Sequence, residues 1–236
     1  MKGKLFLLPT IIADETQQDV IPASVKETIK GLTFFLCENI RTARRYVSSL
    51  KVHDNIESLQ FEVLDKDTLP DALPKLLAPI LEGINVGVLS ESGCPGIADP
   101  GALAVSYAHK NDIQVVPLVG PSSILLALIA SGLNGQKFAF HGYLPVEAKE
   151  AMVFIKNLER ESKEKNQTQI FIETPYRNNA LISHFTKSLR PDTKLCVAVN
   201  LTAGSEKIIC QEINQWINKP ITIEKVPAVF LFLATS

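Results

Sequence analysis

The sequence predicts an α/β fold, and the first half of the chain should form a mostly parallel sheet that helices cover on both faces. Two observations carry this prediction. Short and continuously apolar segments, such as 86–89 and 113–117, are typical of strands buried on both faces. These segments alternate along the chain with longer segments of helical character, and this is the order of elements in βαβ units.

In the first half of the chain, apolar runs and turn residues predict four strands and four helices. The Asp99-Pro100-Gly101 turn should start the fourth helix, with the Asp99 side chain capping it. The predicted strands are 4–8, 33–36, 86–89 and 113–117, and the predicted helices are 24–30, 40–50, 69–82 and 102–110.

The second half predicts further helices and strands after a break at Gly120. Proline and serine are favoured at helix starts, so Pro121-Ser122-Ser123 should begin a helix that stops at Ser131-Gly132. The boundary at Gly120 predicts an N-terminal α/β domain, 1–119, and a C-terminal α/β domain, 120–236. The predicted helices are 124–130, about 144–160, 177–188 and 213–216; the strands are 138–142, 170–173, 194–200, 206–210 and 228–234; and 161–169 is a charged loop.

Composition limits the classes of function. The 24 Lys and Arg residues nearly balance the 25 Asp and Glu residues, which does not indicate a strongly basic nucleic-acid-binding protein. A local basic patch at Arg44, Arg45 and Lys51 could bind RNA phosphates or could be a solvated helix face. The four cysteines form no CxxC pair and the four histidines are dispersed, so no metal site is expected. No apolar run reaches membrane-spanning length, and we expect a reduced, cytoplasmic protein.

The segment 90–101 is the strongest indication of a binding site. It follows the apolar run 86–89 and holds three glycines and two prolines in twelve residues. Small molecules bind outside the carboxyl ends of strands in open α/β sheets, where this loop and 119–123 both lie. Rigid loops of this composition allow close backbone approach to a ligand, although the glycines could also serve turns alone.

Five segments, spread over most of the chain, together resemble one family. They are LPTI at 8–11, CENIRTAR at 37–44, 88–101 together with 117–123, 131–145, and FIETPYR at 171–177. The chain resembles the tetrapyrrole methylase superfamily, the class III S-adenosylmethionine-dependent methyltransferases. Within it, the chain is most similar to the bacterial small-subunit ribosomal RNA 2′-O-ribose methyltransferases.

This resemblance implies two α/β domains with a cofactor cleft between them, S-adenosylmethionine as cofactor, ribosomal RNA or the small ribosomal subunit as partner, and a homodimer. It implies acceptor-side or catalytic roles for Glu38, Arg41, Tyr176 and Arg177. The cofactor-binding residues that it implies are Pro9, Ser90, Glu91, Ser92, Gly93, Ile97, Ala98, Ser122 and Ser123 in the first half, and Ile172, Glu173, Thr174, Asn200, Leu201, Pro227 and Ala228 in the second.

The chain departs from the family pattern on the acceptor side. The usual Glu-Asp-Thr-Arg is ENIR at 38–41, the usual Ser-Asp-Ala-Gly is SESG at 90–93, and the usual Arg-Glu-Leu-Thr-Lys is VNLTA at 199–203. A second hypothesis is therefore that the chain is a divergent paralogue with another acceptor, or a non-catalytic cofactor-binding protein. The Gly-rich loop of tetrapyrrole enzymes after the first strand is missing, which argues against a porphyrinoid substrate.

Two acceptor-side pairs have structural alternatives. Glu38 and Arg41, three residues apart, could lie on one face at a helix start and orient the acceptor, or form a surface ion pair. Tyr176 and Arg177 could stack on a base or hold a phosphate, or they could belong to a helix N-terminus with an exposed arginine.

Overall fold

Each of the two units of the chain is built on its own five-stranded sheet. Unit 1 is Met1–Ser122 and unit 2 is Ser123–Ser236. The computed structural model describes residues 2–235. In this part of the chain, none of the helices is both long enough and apolar enough to cross a membrane.

The sheet of unit 1 is entirely parallel, as the alternation of apolar strands with helices predicts. Its order is β3-β2-β4-β1-β5. Every residue of β2 and β4 is buried, because helices cover both faces of the sheet. The strands are β1 (Leu5–Leu8), β2 (Phe34–Cys37), β3 (Gln60–Val63), β4 (Val86–Leu89) and β5 (Val115–Pro117).

The helices of unit 1 are α1 (Gln17–Val20), α2 (Ala23–Lys30), α3 (Ile40–Ser49), α4 (Leu73–Leu76), α5 (Ala78–Leu81) and α6 (Gly101–Lys110), with 3₁₀ turns at Ile56–Ser58 and Pro70–Ala72. The single helix predicted over 69–82 is wrong. Pro70, Pro74 and Pro79 each lack the N–H that a continuous helix needs, and the segment forms three short pieces. The sequence also missed β3, because only Phe61 of its four residues is buried.

The sheet of unit 2 is mixed. Its order is β6-β7-β10-β8-β9; β6 pairs with β7 in parallel and the other pairs are antiparallel. The strands are β6 (Phe138–Phe140), β7 (Thr168–Glu173), β8 (Lys194–Val199), β9 (Lys207–Glu212) and β10 (Ala228–Leu233). The helices are α7 (Ser123–Ser131), α8 (Ala148–Lys165), α9 (Asn178–Ser188) and α10 (Ile213–Asn218), and Pro175–Arg177 is a 3₁₀ turn.

The charged loop predicted over 161–169 is wrong. Helix α8 continues to Lys165 and ends at Asn166, which has a left-handed φ of 49°. Most charged residues of this run lie on the solvent face of the helix, while Ser162 on the same turn is fully buried. The high charge therefore marks an amphipathic helix end, and β7 begins at once, at Thr168.

Aromatic side chains form the centre of the core of unit 2. Phe171 stacks on Phe232 with ring centroids 5.7 Å apart, and Phe185 contacts both. Trp216 is 2% exposed and donates its indole N–H to the carbonyl oxygen of Leu195 at 3.1 Å. The buried aromatic cluster fixes β7 and β10 against α9 and α10, and so fixes the strand ends discussed below.

Candidate functional site

Three loops of unit 1 meet beyond the carboxyl ends of β4, β1 and β5. In the loop after β1, the backbone N–H of Thr10 donates to the carbonyl oxygen of Gly93 at 2.8 Å. The Cys94 thiol, in the loop after β4, donates to the carbonyl oxygen of Pro121 at 3.3 Å. These three strands are parallel neighbours in the sheet, so their loops fall on one edge, where small molecules bind in such folds.

Backbone packing between two of these loops requires a glycine. A Cβ atom at Gly120 would lie 2.0 Å from the Cβ atom of Pro9. Gly93 and Gly96 have φ values of 76° and 84°, and Ala98 also lies in the left-handed region at 55°. The loop composition thus serves close backbone approach and unusual backbone angles at the same place.

Asp99 holds the loop after β4 in shape. Its Oδ1 atom accepts hydrogen bonds from the backbone N–H groups of Gly96 at 2.8 Å and Gly101 at 2.6 Å. Gly101 is the first residue of α6, so the predicted capping role of Asp99 is confirmed. Asp99 Oδ2 is buried and has no hydrogen-bond partner within residues 2–235.

The expected cofactor-binding residues of the first half differ in exposure. Pro9, Ser90 and Gly93 are buried; Glu91, Ser92, Ile97 and Ala98 are exposed; and Ser122 and Ser123 are half-buried. The exposed members lie on the outer turn of the loop after β4, where a ligand could contact them. Ser123 is the first residue of α7 and belongs to unit 2.

A cavity of about 410 Å³ in unit 1 lies beside the loops after β1 and β4. Helix α3 forms one of its walls and is tied to both loops. The Tyr46 hydroxyl donates to the carbonyl oxygen of Pro9 at 2.8 Å, and the Thr42 hydroxyl donates to Oε1 of Glu91 at 2.6 Å. Sequence reasoning missed Thr42 and Tyr46. Their spacing of four residues, one helical turn apart on α3, was the available signal.

Glu38 belongs to an acidic group and not to a pair with Arg41. Asn39 caps α3 by accepting from the N–H groups of residues 41 and 42, so Glu38 precedes the helix and does not share a helix face with Arg41. Arg41 is exposed and is absent from the ion pairs of the described residues. Burial and the nearby carboxylates of Asp99 and Glu91 raise the pKa of Glu38.

In unit 2, the expected cofactor-binding segments come together at one end of the three central strands, β7, β10 and β8. Ala228 at the start of β10 pairs with Glu173 at the end of β7 and with Val199 at the end of β8. The next residue, Asn200, donates its backbone N–H to the carbonyl oxygen of Pro227 at 2.9 Å. Residues from three distant parts of the sequence, namely 172–174, 200–201 and 227–228, therefore adjoin one another.

The Glu173 side chain is fully buried and faces Arg177. Arg177 Nη1 lies 3.3 Å from Glu173 Oε2, and Arg177 Nη2 donates to the carbonyl oxygen of Pro145 at 3.2 Å. Residues 175–177 form the 3₁₀ turn that leads into α9, as the helix N-terminus alternative expects, but the Arg177 side chain is only 29% exposed and is therefore half-buried. Tyr176 next to it is 80% exposed, with the Lys225 ammonium 5.3 Å from its ring centroid.

Two asparagines that sequence reasoning missed hold the segment before Pro227. The buried Asn178 donates its amide to the carbonyl oxygen of Val226 at 2.8 Å. Asn179 bonds both backbone groups of Ile223, at 2.8 and 2.9 Å. They begin α9 directly after the TPYR motif at 174–177, and two adjacent amides at a helix start were the only sequence signal.

Known proteins are similar to this chain over most of its length. Ribosomal RNA small subunit methyltransferase I of Mesorhizobium japonicum is 30% identical over 208 residues, which are 88% of this chain and 67% of that protein. The protein of the same name from Buchnera aphidicola is 28% identical over 206 residues, covering 87% of this chain and 69% of that one. No family model matches the chain.

A solved structure supports the fold. The uroporphyrin-III C-methyltransferase of Thermus thermophilus superposes with a TM-score of 0.53 at 16% sequence identity, covering 99% of this chain and 93% of that one. At this identity the likeness concerns the fold alone. The identity to the Mesorhizobium protein shows that the chain belongs to the ribosomal RNA small subunit methyltransferase I family.

Proposed function

We propose that this chain transfers a methyl group from S-adenosylmethionine to a ribose 2′-hydroxyl of small-subunit ribosomal RNA. The observation that carries the proposal is the 30% identity, over 88% of the chain, to a relative named ribosomal RNA small subunit methyltransferase I. The ordered loops at the strand ends of unit 1 and the converging strand ends of unit 2 support it, because they are suited to hold a small polar ligand.

The donor side of the proposal rests on groups able to bind a polar molecule. When bound, S-adenosylmethionine supplies an electrophilic methyl group on a sulfonium leaving group. In unit 2, Thr202 Oγ1 is buried beside Leu201 and has no hydrogen-bond partner within residues 2–235, so it can accept one from a ligand. In unit 1, residues 91–92 and 97–98 are exposed and lie in the loop after β4, where a cofactor could contact them.

On the acceptor side, we assign to Glu38 the removal of the proton from the hydroxyl group. Burial and the neighbouring Asp99 and Glu91 carboxylates raise the pKa of Glu38, which brings it closer to neutral pH and makes the carboxylate a stronger base. The hydrogen bond from Thr42 orients Glu91 within this acidic group. Arg41 is exposed on the first turn of α3, and we assign to it a contact with a backbone phosphate of the RNA.

Tyr176 and Arg177 receive different roles in this proposal. Tyr176 presents an exposed ring that can stack on a nucleobase, an interaction that single-stranded RNA segments favour. The Arg177 guanidinium already faces Glu173 and the carbonyl of Pro145. Arg177 is therefore proposed to hold the turn that presents Tyr176, and its contribution to the reaction is indirect.

The test is methyl transfer to small ribosomal subunits from a strain that lacks the gene for this protein. Radiolabel from S-adenosylmethionine should enter the small-subunit RNA, and mapping of the labelled nucleotide identifies the atom. Glu38→Gln and Arg41→Ala should strongly reduce transfer and leave cofactor binding by calorimetry unchanged. The exposed Glu57→Gln is a matched control that should keep full activity.

The pH dependence separates the role of Glu38 from a structural one. A base acts when it is deprotonated, so the transfer rate should rise with pH through the raised pKa of Glu38. Residual activity of Glu38→Gln should lack this rise. Full activity in both Glu38→Gln and Arg41→Ala would remove these residues from the mechanism, even if the RNA were labelled.

The altered segment ENIR at 38–41 favours a second candidate, a paralogue that binds S-adenosylmethionine and acts on another acceptor or on none. Cofactor binding without labelling of any ribosomal preparation would support it.

We further propose that the protein is a homodimer and that it is cytoplasmic. Light scattering during gel filtration tests the dimer directly. A monomer at micromolar concentration would contradict that part of the proposal alone.

A further inference from the structure

Two cysteines with no part in the proposed reaction lie directly opposite each other in the sheet of unit 2. Cys196 on β8 and Cys210 on β9 are register partners in this antiparallel pair. Directly opposite residues project from the same face of a sheet, with Cβ atoms about 4.5–5.5 Å apart. The two thiol groups are therefore neighbours, although 13 residues separate them in the sequence.

The hydrogen-bond pattern shows that they form a non-hydrogen-bonded pair. The backbone N–H of Ile213 donates to the carbonyl oxygen of Thr193, so the main-chain groups of Thr193 point toward β9. The N–H of Asn200 donates to Pro227, so the main-chain groups of Asn200 point toward β10. Because main-chain direction alternates along a strand, Cys196 shares the direction of Asn200 and makes no main-chain bond to Cys210.

This placement fits the geometry of a disulfide. Non-hydrogen-bonded pairs have Cα atoms about 4.5 Å apart and bring the side chains closer than hydrogen-bonded pairs do. Disulfides are found at Cα separations of about 4.4–6.8 Å. Closure of a bond between Cys196 and Cys210 would consequently need little movement of the backbone.

The two thiols differ in their surroundings. Cys210 is suited to attack an external disulfide, and Cys196 is suited to resolve the mixed disulfide that this attack forms. Cys210 is exposed on β9, an edge strand, whereas Cys196 is fully buried. The Cys196 thiol can donate a hydrogen bond to a thiolate at Cys210, and Lys194 on the adjacent strand adds positive charge. Both effects lower the pKa of Cys210, while the pKa of Cys196 is raised.

We propose that Cys196 and Cys210 form a reversible intramolecular disulfide when they react with a low-molecular-weight disulfide such as oxidised glutathione, which acts as the oxidant. The Cys210 thiolate attacks one sulfur of the reagent, forms a mixed disulfide and releases one glutathione thiolate. The Cys196 thiol then loses its proton to solvent and attacks the Cys210 sulfur, which releases the second glutathione thiolate. The two protein thiols are oxidised, and one oxidised glutathione is reduced to two thiols.

The chain holds its own comparison sites. Cys37 is buried, and Cys94 is half-buried with its thiol directed at the carbonyl oxygen of Pro121. Neither has a second cysteine as a strand partner among the described residues. Reaction limited to Cys210 and Cys196 would therefore reflect the paired geometry and not a general reactivity of the thiols.

The experiment incubates the folded, full-length protein with oxidised glutathione and maps the thiols by mass spectrometry after acid quenching. The wild-type protein should lose two hydrogens in mass and give a linked peptide that contains Cys196 and Cys210, reversible by dithiothreitol. A stable glutathione adduct on Cys210, a disulfide between two chains, or no reaction would each overturn the proposal.

Variants assign the order of the steps. Cys196→Ser should stop at a glutathione adduct on Cys210, and Cys210→Ser should show neither the adduct nor the disulfide. Cys210→Ser alters an exposed side chain, so its folding is not in question if the buried Cys196→Ser proves unstable. Cys94→Ser should react as the wild type does. Disulfide formation that persists in Cys210→Ser would contradict the assignment.

Discussion

Replacement of Arg177 by alanine should destabilise unit 2, because it leaves a buried carboxylate without its ion-pair partner. Arg177 Nη1 is 3.3 Å from Glu173 Oε2, and the Glu173 side chain is fully buried. The variant also removes the hydrogen bond from Arg177 to the carbonyl oxygen of Pro145. The remaining partner of Glu173 is the backbone N–H of Thr174, which donates to Oε1 at 2.8 Å.

The size of the effect follows from the burial of the pair. Removal of one partner from a buried ion pair costs about 3–5 kcal/mol, whereas an exposed pair contributes about 0–1 kcal/mol. The Arg177 side chain is 29% exposed and Glu173 is not exposed at all, so water can screen one side only. We expect a loss of about 2–3 kcal/mol in the free energy of unfolding, between these limits.

The chain supplies a reporter for the measurement. Trp216 is its single tryptophan and is buried in unit 2, so its fluorescence follows the unfolding of that unit in urea. With a typical urea dependence, the midpoint should fall by roughly 1 M. The control Arg190→Ala breaks an ion pair with Asp192 whose side chains are 61% and 52% exposed, and it should change stability by less than about 0.5 kcal/mol.

The outcome distinguishes a structural arginine from one that contacts RNA. Equal midpoints for Arg177→Ala and Arg190→Ala would refute the reasoning from burial. If Arg177→Ala then also lost methyl transfer and showed a weaker salt dependence of RNA binding, the side chain would act on the nucleic acid directly.

Two further predictions concern unit 1, one on a substitution and one on the reactivity of a buried thiol. Gly120→Ala places a Cβ atom 2.0 Å from that of Pro9 and should cost about 1–3 kcal/mol or more by calorimetry, whereas Gly135→Ala, with nothing within 4 Å, should be tolerated. Burial raises the pKa of Cys37 to about 12, so at pH 8 iodoacetamide should alkylate it in urea at least about 100-fold faster than in the folded protein; equal rates would contradict the burial.

The sequence predicted best those elements that one physical signal dominates. The run VGVL at 86–89 is continuously apolar, and β4 has these bounds. The prediction failed where two signals conflict. In 69–82, apolar spacing favours a helix and three prolines prevent it. In 161–165, the high charge favours a loop, but these charged residues belong to the last turns of α8 and mostly face the solvent.

For the candidate site, the sequence located the segments and missed the contacts between them. Loops at the ends of parallel strands were expected on one edge, and the hydrogen bond between Thr10 and Gly93 joins two of them. The pairing of Ala228 with Glu173 depends on strand register, which distant residues decide together. The same holds for Asn178 and Val226, since no local pattern records a partner 48 residues away.

The position of β10 between β7 and β8 has a consequence for the order of folding during synthesis. In unit 1, every strand of the sheet has left the ribosome once residue 117 is free. In unit 2, β7 and β8 have no partner for their facing edges until 228–233 follows, the latest strand of the described chain. The nascent second unit therefore exposes two apolar strand edges that can pair wrongly with other chains, at a stage when every strand of the first unit has already emerged.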